Sequence, residues 1–384
     1  MEKINLEKFI FISISFSTIF ILIYNFFHYS PLLGYDAEAH YDYVNYFSMY
    51  LPDTFNLPSN KDSREFFNPP LAYLFPSLIQ VACRNIIKST DLLSECQSIY
   101  GKFTMLFQYL LYLLTLIVNM KSIQKILNIK SYKITSYLLL ISMLAVNYRT
   151  ISMITGEPYI LFFLSLFIYS LILASKKGFD VNYKYFLFTG LLIGLLALSR
   201  QWGFLLFPAL GLLIFDKSIK NRKKYFSFIT YSFFIGFIVS SWFYINLYLK
   251  YGSFTKFNKD SLGFNLTNKP TNFYFPSMEH LEILFTNPIR PYLNNQFLTT
   301  LYADLWGDYW GFFSFTSKYL NIGRNQLSIG SYLGNVNKLA VFSTFIILLF
   351  YILSNRNNKG EFVVKYVSFS VLFSLFGYLW FVIS

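Results

Sequence analysis

"MEKINLEKFIFISISFSTIFILIYNFF", residues 1–27, decides the class of fold. A charged leader is followed by roughly twenty largely apolar residues, enough for a helix to cross the hydrocarbon core of a bilayer. The run is too long for a signal-peptide core, and no small-x-small cleavage site follows it, so it reads as an uncleaved first span. The chain leaves that span through "PLLGYDAEAHYDYV" (31–44), which sets Asp36, Glu38, His40 and Asp42 just outside the apolar run. An acid there is held at a fixed depth at the lipid boundary.

The rest of the chain fits the same class. Of 384 residues 55% are hydrophobic and only 13% charged, with mean hydropathy +0.43, more apolar surface than a soluble domain of this length would bury. Apolar windows place spans at roughly 8–28, 101–120, 134–154, 157–175, 184–200, 203–216, 225–248, 336–354 and 363–383. The expected fold is therefore an all-α polytopic membrane protein of about nine transmembrane helices. Residues 1–248 would form a core that includes an outer loop at 29–100; residues 249–335 a second, long outer loop; and 336–384 the C-terminal helices. Within the first loop, "PPLAYLFPSLIQVACRNIIK" (69–88) carries Leu71, Leu74, Phe75, Leu78, Ile79, Ala82 and Ile86 at helical spacing, the pattern of a helix lying in the interface.

Charge gives the orientation. Nine spans starting from the cytoplasm put seventeen of the 32 cations, against five acids, in the short inner loops, and leave the outer side nearly neutral. This is the positive-inside pattern, and it accounts for the net charge of +13 without nucleic acid. The N-terminus is then cytoplasmic and the loops at 29–100 and 249–335 face outward, periplasmic or lumenal, across the plasma membrane if the cell is bacterial. The two cysteines, Cys83 and Cys96, share one outer stretch. Two unpaired thiols are the expectation, with a disulfide as the alternative on an oxidising side. With no CxxC and three histidines, no structural zinc site is expected.

No acid falls near the middle of a predicted span, where proton-coupled pumps and many ion-coupled transporters keep theirs. Fourteen of the 19 acids lie on the outer side, which fits chemistry at that surface better than a conduction path. On a helix after Asp36, residues Asp36, His40, Tyr43 and Phe47 share one face, and Glu38, Tyr41, Asp42 and Asn45 the other. Asp36 as helix cap is the bland alternative to Asp36 as reactive group. Four further clusters lie on the same side: "FNPPLAYLF" (67–75); "MITGEPYILFF" (153–163), with Arg149 before it; "GLLIGLLALSRQWGFLLFP" (190–208), with Arg200; and "DLWGDYWGFF" (304–313).

In this order, over roughly residues 8–215, the stretches "DAEAHY", "FNPPLAY" and "GLLIGLLALSR" resemble the GT-C superfamily of membrane glycosyltransferases, which use polyprenyl-phosphate sugars. The pattern is closest to the protein O-mannosyltransferase and lipid A aminoarabinose transferase types. The resemblance implies transfer of a hexosyl or pentosyl group to a protein, lipid or glycan acceptor, with inversion. It makes Asp36 the general base, with Glu38 as second acid where the family often has adjacent Asp-Glu. It also implies that Arg200 and Arg149 bind the donor phosphate. His40, Glu157, Asp304, Trp306, Asp308 and Trp310 are candidates for acceptor or sugar contacts. No cofactor is required by this reading, although a divalent cation, used by some GT-C enzymes, is an option; membrane lipids are the other partners. For each residue a plainer role exists: Glu157 as a first-turn acid favoured by the helix dipole, the arginines as snorkelling side chains, the tryptophans as an interfacial belt. A flippase or transporter of lipid-linked sugars, or a non-enzymatic scaffold, is the competing class.

Overall fold

The computed structural model describes residues 6–28, 30–31, 36–51, 53–87, 93–127, 145–180, 183–217, 219–257, 263–275, 277–278, 282, 296–302 and 362–383. Every regular element among them is helical: α1 (Leu6–His28), α2 (Ala37–Tyr50), α3 (Leu71–Ile87), α4 (Leu93–Leu127), α5 (Ala145–Thr150), α6 (Glu157–Lys176), α7 (Tyr183–Ser199), α8 (Pro208–Leu212), α9 (Arg222–Tyr251), α10 (Thr271–Tyr274), α11 (Phe297–Tyr302) and α12 (Phe362–Ile383), with short 3-10 turns. Among the described residues five helices are long and apolar enough to cross a membrane: α1, the Cys96–Ile126 part of α4, α6, α9 and α12. On α1 the residues Phe9, Ile12, Phe16, Phe20 and Phe27 are exposed.

The expected nine spans are met in part. α7 and the 201–215 segment are shorter apolar helical stretches. The expected third span is described only from 145 onward, and the eighth, 336–354, lies outside the described residues. The expected sixth span, 203–216, is three pieces rather than one helix: a 3-10 turn at Gln201–Leu206, α8, and a 3-10 turn at Leu213–Phe215. Pro208, which has no N–H and clashes with the preceding turn, accounts for one break. α4 begins inside the expected outer loop. Its 35 residues extend over about 52 Å, well beyond a hydrocarbon core of about 30 Å.

Side-chain contacts sort the bundle into two ends. At one, Lys176 Nζ donates to the Lys125 carbonyl, Lys224 pairs with Asp180 at 2.6 Å, and Lys365 with Asp216 at 2.6 Å. At the other, Lys102 Nζ donates to the Phe26 carbonyl, the Asn60 N–H to Tyr251 Oη at 3.3 Å, and Gln201 Nε2 to the Phe67 carbonyl at 2.6 Å. The segment between Gln201 and Asp216 thus runs from one end to the other despite its breaks. α7 and α9 run side by side in the same sense. A Cβ on Gly194 would lie 2.5 Å from that of Val239, and one on Gly190 2.6 Å from the Ser232 carbonyl, so glycine is what lets the two backbones approach.

The acidic loop is folded, and it is the part of the sequence that tightens the non-basic end. α3 turns only part of its expected apolar face outward: Leu78, Ala82 and Ile86 are exposed, whereas Leu71, Leu74 and Ile79 pack half-buried against the core and Phe75 stacks on Phe107 of α4 at 4.3 Å. Ala72, Tyr73, Ser77, Gln80 and Cys83 are buried, and the polar ones among them hydrogen-bond to α2, through Ser77 Oγ to the Val44 carbonyl (3.3 Å) and between Ser48 Oγ and the Gln80 amide (2.9 Å). Pro76 lies inside α3 and leaves the Ala72 carbonyl without its helical donor; Tyr159 Oη approaches it at 3.5 Å. Contrary to the expectation of free thiols, Cys83 and Cys96 form a disulfide, with Cα atoms 5.9 Å apart. Spacing alone did not show that α4 starts early enough to bring Cys96 against α3.

Candidate active site

Asp36 caps α2 at its N-terminus. Its backbone is left-handed (φ 54°, ψ 19°), a conformation that aspartate tolerates better than most residues, and its side chain makes no capping bond to the helix. Instead its carboxylate approaches Arg64 Nη2 at 3.7 Å and keeps 22% of its surface exposed. The helical face expected to bear His40, Tyr43 and Phe47 is buried, and Glu38 and Asp42 lie exposed on the other side. Glu38 therefore stands outside the cluster that contains His40. Tyr41, expected with Glu38, is buried because its ring meets Tyr100 of α4 at 5.4 Å.

Arg200 is the centre of that cluster. It follows the last turn of α7, and Glu157 opens α6, so the cation sits at a C-terminal helix end and the acid at an N-terminal one, each favoured by its helix dipole. Gly156 permits the meeting. A Cβ there would fall 2.3 Å from the Ser199 carbonyl oxygen and 2.8 Å from Arg200 Cγ. Arg200 Nε donates to Glu157 Oε1 at 2.9 Å, and its Nη2 lies 2.8 Å from the same oxygen. Nη1 donates to Asn68 Oδ1 at 2.6 Å and lies 3.8 Å from Glu65 Oε2. Three of the five guanidinium N–H groups thus face protein acceptors. Burial alone would lower the Arg200 pKa, but Glu157, then Tyr73 and Glu65, outweigh it and hold the group charged. Glu157 Oε2 is buried without a hydrogen-bond partner among the described residues.

Asn68 ties this pair to α2 and α3. Its amide nitrogen donates to Glu65 Oε2 and, at 3.2 Å, to Tyr73 Oη. Tyr73 Oη in turn lies 2.7 Å from His40 Nδ1. Since Tyr73 accepts from Asn68, its own proton goes to Nδ1, and the neutral imidazole carries its proton on Nε2. Burial, reinforced by the Arg200 charge and partly opposed by Glu157, takes the His40 pKa from 6.5 down to about 3. Burial likewise pushes the Tyr73 phenol well above its ordinary range. Glu65 is raised chiefly by burial, an effect that Arg200 opposes, Asp36 reinforces, and the Asn68 bond and Glu157 modify further.

The loop before α3 is pinned around these groups. Ser63 Oγ donates to the Ala39 carbonyl at 2.7 Å, and Tyr43 Oη to the Asn68 carbonyl at 3.2 Å. Four sequence-remote stretches therefore converge: Asp36–His40, Arg64–Tyr73, Glu157 and Arg200. Glu65, Asn68, Tyr73 and Gln201 were not singled out from the sequence, although Asn68 and Tyr73 lie in the quoted "FNPPLAY" and Gln201 follows Arg200 directly. Of the other candidates, Arg149 falls on α5 with its side chain not described, and Asp304, Trp306, Asp308 and Trp310 lie outside the described residues. Among the described residues no group of three His, Cys, Asp or Glu side chains could hold a metal ion. A cleft of about 410 Å³ lined by Ile214, Arg222, Lys223, Phe226 and Ser227 opens at the basic end, away from every carboxylate of the cluster.

The chain matches no family profile, no curated protein and no solved structure. What the site can do has to be read from its own chemistry: a partly exposed carboxylate, a protonated guanidinium with N–H groups to spare, and an unpartnered carboxylate oxygen.

Proposed function

We propose that the chain is an integral-membrane glycosyltransferase of the GT-C type, moving a sugar from a polyprenyl-phosphate donor to an acceptor at the outer face of the membrane. One observation carries the reading: Asp36 and Arg200, 164 positions apart in the sequence, belong to one polar cluster, at the end of the bundle opposite the lysine-rich loops. Two others support it. The positive-inside rule would put the lysine-rich end in the cytoplasm and the cluster outside, and a disulfide joining α3 to α4 suits an oxidising compartment.

In this reading the Asp36 carboxylate takes the proton of the acceptor hydroxyl as its oxygen forms a bond to the anomeric carbon. The bond from that carbon to the phosphate oxygen breaks, the lipid phosphate leaves with the electron pair, and the anomeric centre inverts. Arg200 stabilises the charge growing on the phosphate through its remaining N–H groups. Glu157 holds Arg200 in place. Glu65 takes the position of second carboxylate in the site, since Glu38 faces outward. Arg64 and Arg200 beside these acids disfavour a metal ion between them, so no step here uses a divalent cation.

The test is transfer in vitro from a panel of radiolabelled polyprenyl-phosphate sugars by the purified protein in lipid. Incorporation from one donor into an acceptor fraction, with release of polyprenyl phosphate, is expected. Movement of the intact lipid-linked sugar between leaflets with no bond broken would instead assign a transporter.

A further inference from the structure

We propose that Glu65 is a proton gate on Arg200: a phosphodiester anion enters the site together with one proton, which Glu65 takes up. This rests on the transferase reading and narrows it to how the donor's phosphate is received.

Among the described residues Arg200 faces two carboxylates, Glu65 and Glu157, so with all three ionised they carry a net −1. The other groups described around Glu65 do not offset it: Tyr73 of α3 keeps its proton and His40 of α2 is neutral, while Arg64, its neighbour in the chain, is 64% exposed and turned to Asp36. A phosphodiester brings a further negative charge to a guanidinium that already faces two carboxylates. One acid must become neutral, and geometry selects which. Glu157 holds two contacts to Arg200 below 3 Å, at a helix N-terminus. Asp36 pairs with Arg64 and is partly exposed. Glu65 is the most buried of the three, its side chain 6% exposed; it accepts from the Asn68 amide but stands 3.8 Å from Arg200, beyond hydrogen-bonding distance. Of the three it has the least access to water and, among the described residues, no cation within hydrogen-bonding reach. Burial raises its pKa in the same direction, with Asp36 and Glu157 adding to the effect and Arg200 opposing it. Once protonated, Glu65 no longer competes for the free N–H groups of Arg200.

The step makes and breaks no covalent bond other than the O–H formed on Glu65, with the proton drawn from solvent. The shared chemistry is a singly charged phosphodiester, and its source is either a lipid headgroup or a free ion.

The experiment measures binding to the full-length protein in nanodiscs across a pH series. The probes are farnesyl methyl phosphodiester and, as the same headgroup without lipid, dimethyl phosphate; neither changes charge over the series. For the wild type, affinity should fall by about tenfold per pH unit on the alkaline side, the signature of one linked proton. Glu65→Gln, which mimics the protonated acid, should bind with no pH slope, and Glu65→Asp should keep the slope. Equal slopes for both probes would assign recognition to the headgroup; binding of the farnesyl probe alone would assign it to the lipid-borne phosphate. Either supports the gate. A Glu65→Gln protein with the wild-type slope, or one that binds at no pH while its Cys83–Cys96 bond remains intact, would overturn it. Should that variant fail to fold, calorimetry of the wild type in two buffers of different ionisation enthalpy decides: one proton per ligand is expected, and none would sink the proposal. The two readings fail separately. Proton-linked binding without sugar transfer removes the transferase and keeps the gate, whereas transfer with pH-independent donor affinity does the reverse.

Discussion

Replacing Arg200 by Gln removes the one side chain that the cluster shares. Glu157 Oε1 then loses both its close contacts, and Glu65 loses its facing cation. Removing one partner of a fully buried pair costs about 3–5 kcal/mol. Glu157 is 30% exposed and water can take over part of the role, which brings the expected loss to about 2–3 kcal/mol. Glu157→Gln is milder, about 1–2 kcal/mol, because Arg200 keeps the Asn68 bond at 2.6 Å and Glu65 at 3.8 Å. The double variant should be less damaged than the sum of the two by about 1–2 kcal/mol, since each single change already breaks the same contact. Unfolding of the four proteins in the same detergent, followed by tryptophan fluorescence, closes the cycle. Strict additivity would refute the placement of Glu157 against Arg200, and with it the role given to Gly156.

Acid should destabilise the protein through His40. Folded, its pKa is about 3, against 6.5 when unfolded, so between those values the unfolded chain binds a proton that the folded one does not. The stability is present in full above about pH 6.5 and drains away as pH falls toward 3, by a few kcal/mol in all. His40→Gln should flatten that limb of the stability–pH curve; an unchanged limb would place the effect elsewhere. Reducing the Cys83–Cys96 bond, which closes a separation of 13 residues, should cost about 3 kcal/mol and loosen α3 from α4. Maleimide labelling of both cysteines in native membranes without reductant would contradict the bond. Gly156→Val should separate α6 from the end of α7 and lower donor affinity and stability together, since its side chain would meet a backbone carbonyl 2.3 Å from the Cβ position.

Long apolar runs were the readable part of the sequence. α1, α6, α9 and α12 begin and end within a few residues of the windows drawn for them. The sixth window runs between the two ends of the bundle, but in three pieces, because hydropathy does not register that Pro208 breaks a helix whose composition is otherwise apolar throughout. α3 was legible as an amphipathic helix, but hydropathy gave no reason for Ser77 and Gln80 to be fully buried while Leu78 and Ile86 turn outward. Only the hydrogen bonds of Ser77, Gln80 and Tyr73 decide that. In the cluster, Arg200 stood out as a charge at a span end, and Asp36 as an acid just after one. Glu65 and Asn68 carried no such mark, because their meaning comes from a loop folded back between α2 and α7 rather than from any periodicity. Helical spacing set Glu38 on the face opposite His40, and it is exposed there: two residues of helix, about 200°, separate it from the buried His40.

The most direct test of the central claim is turnover by Asp36→Asn with whichever polyprenyl-phosphate sugar the wild type uses. Asparagine also tolerates the left-handed backbone at this position, so the fold and donor binding should be kept. Loss of the base should slow transfer by about 10²–10⁴-fold. An Asn variant that binds donor and transfers sugar at the wild-type rate would take Asp36 out of the reaction and leave the cluster without its proposed base.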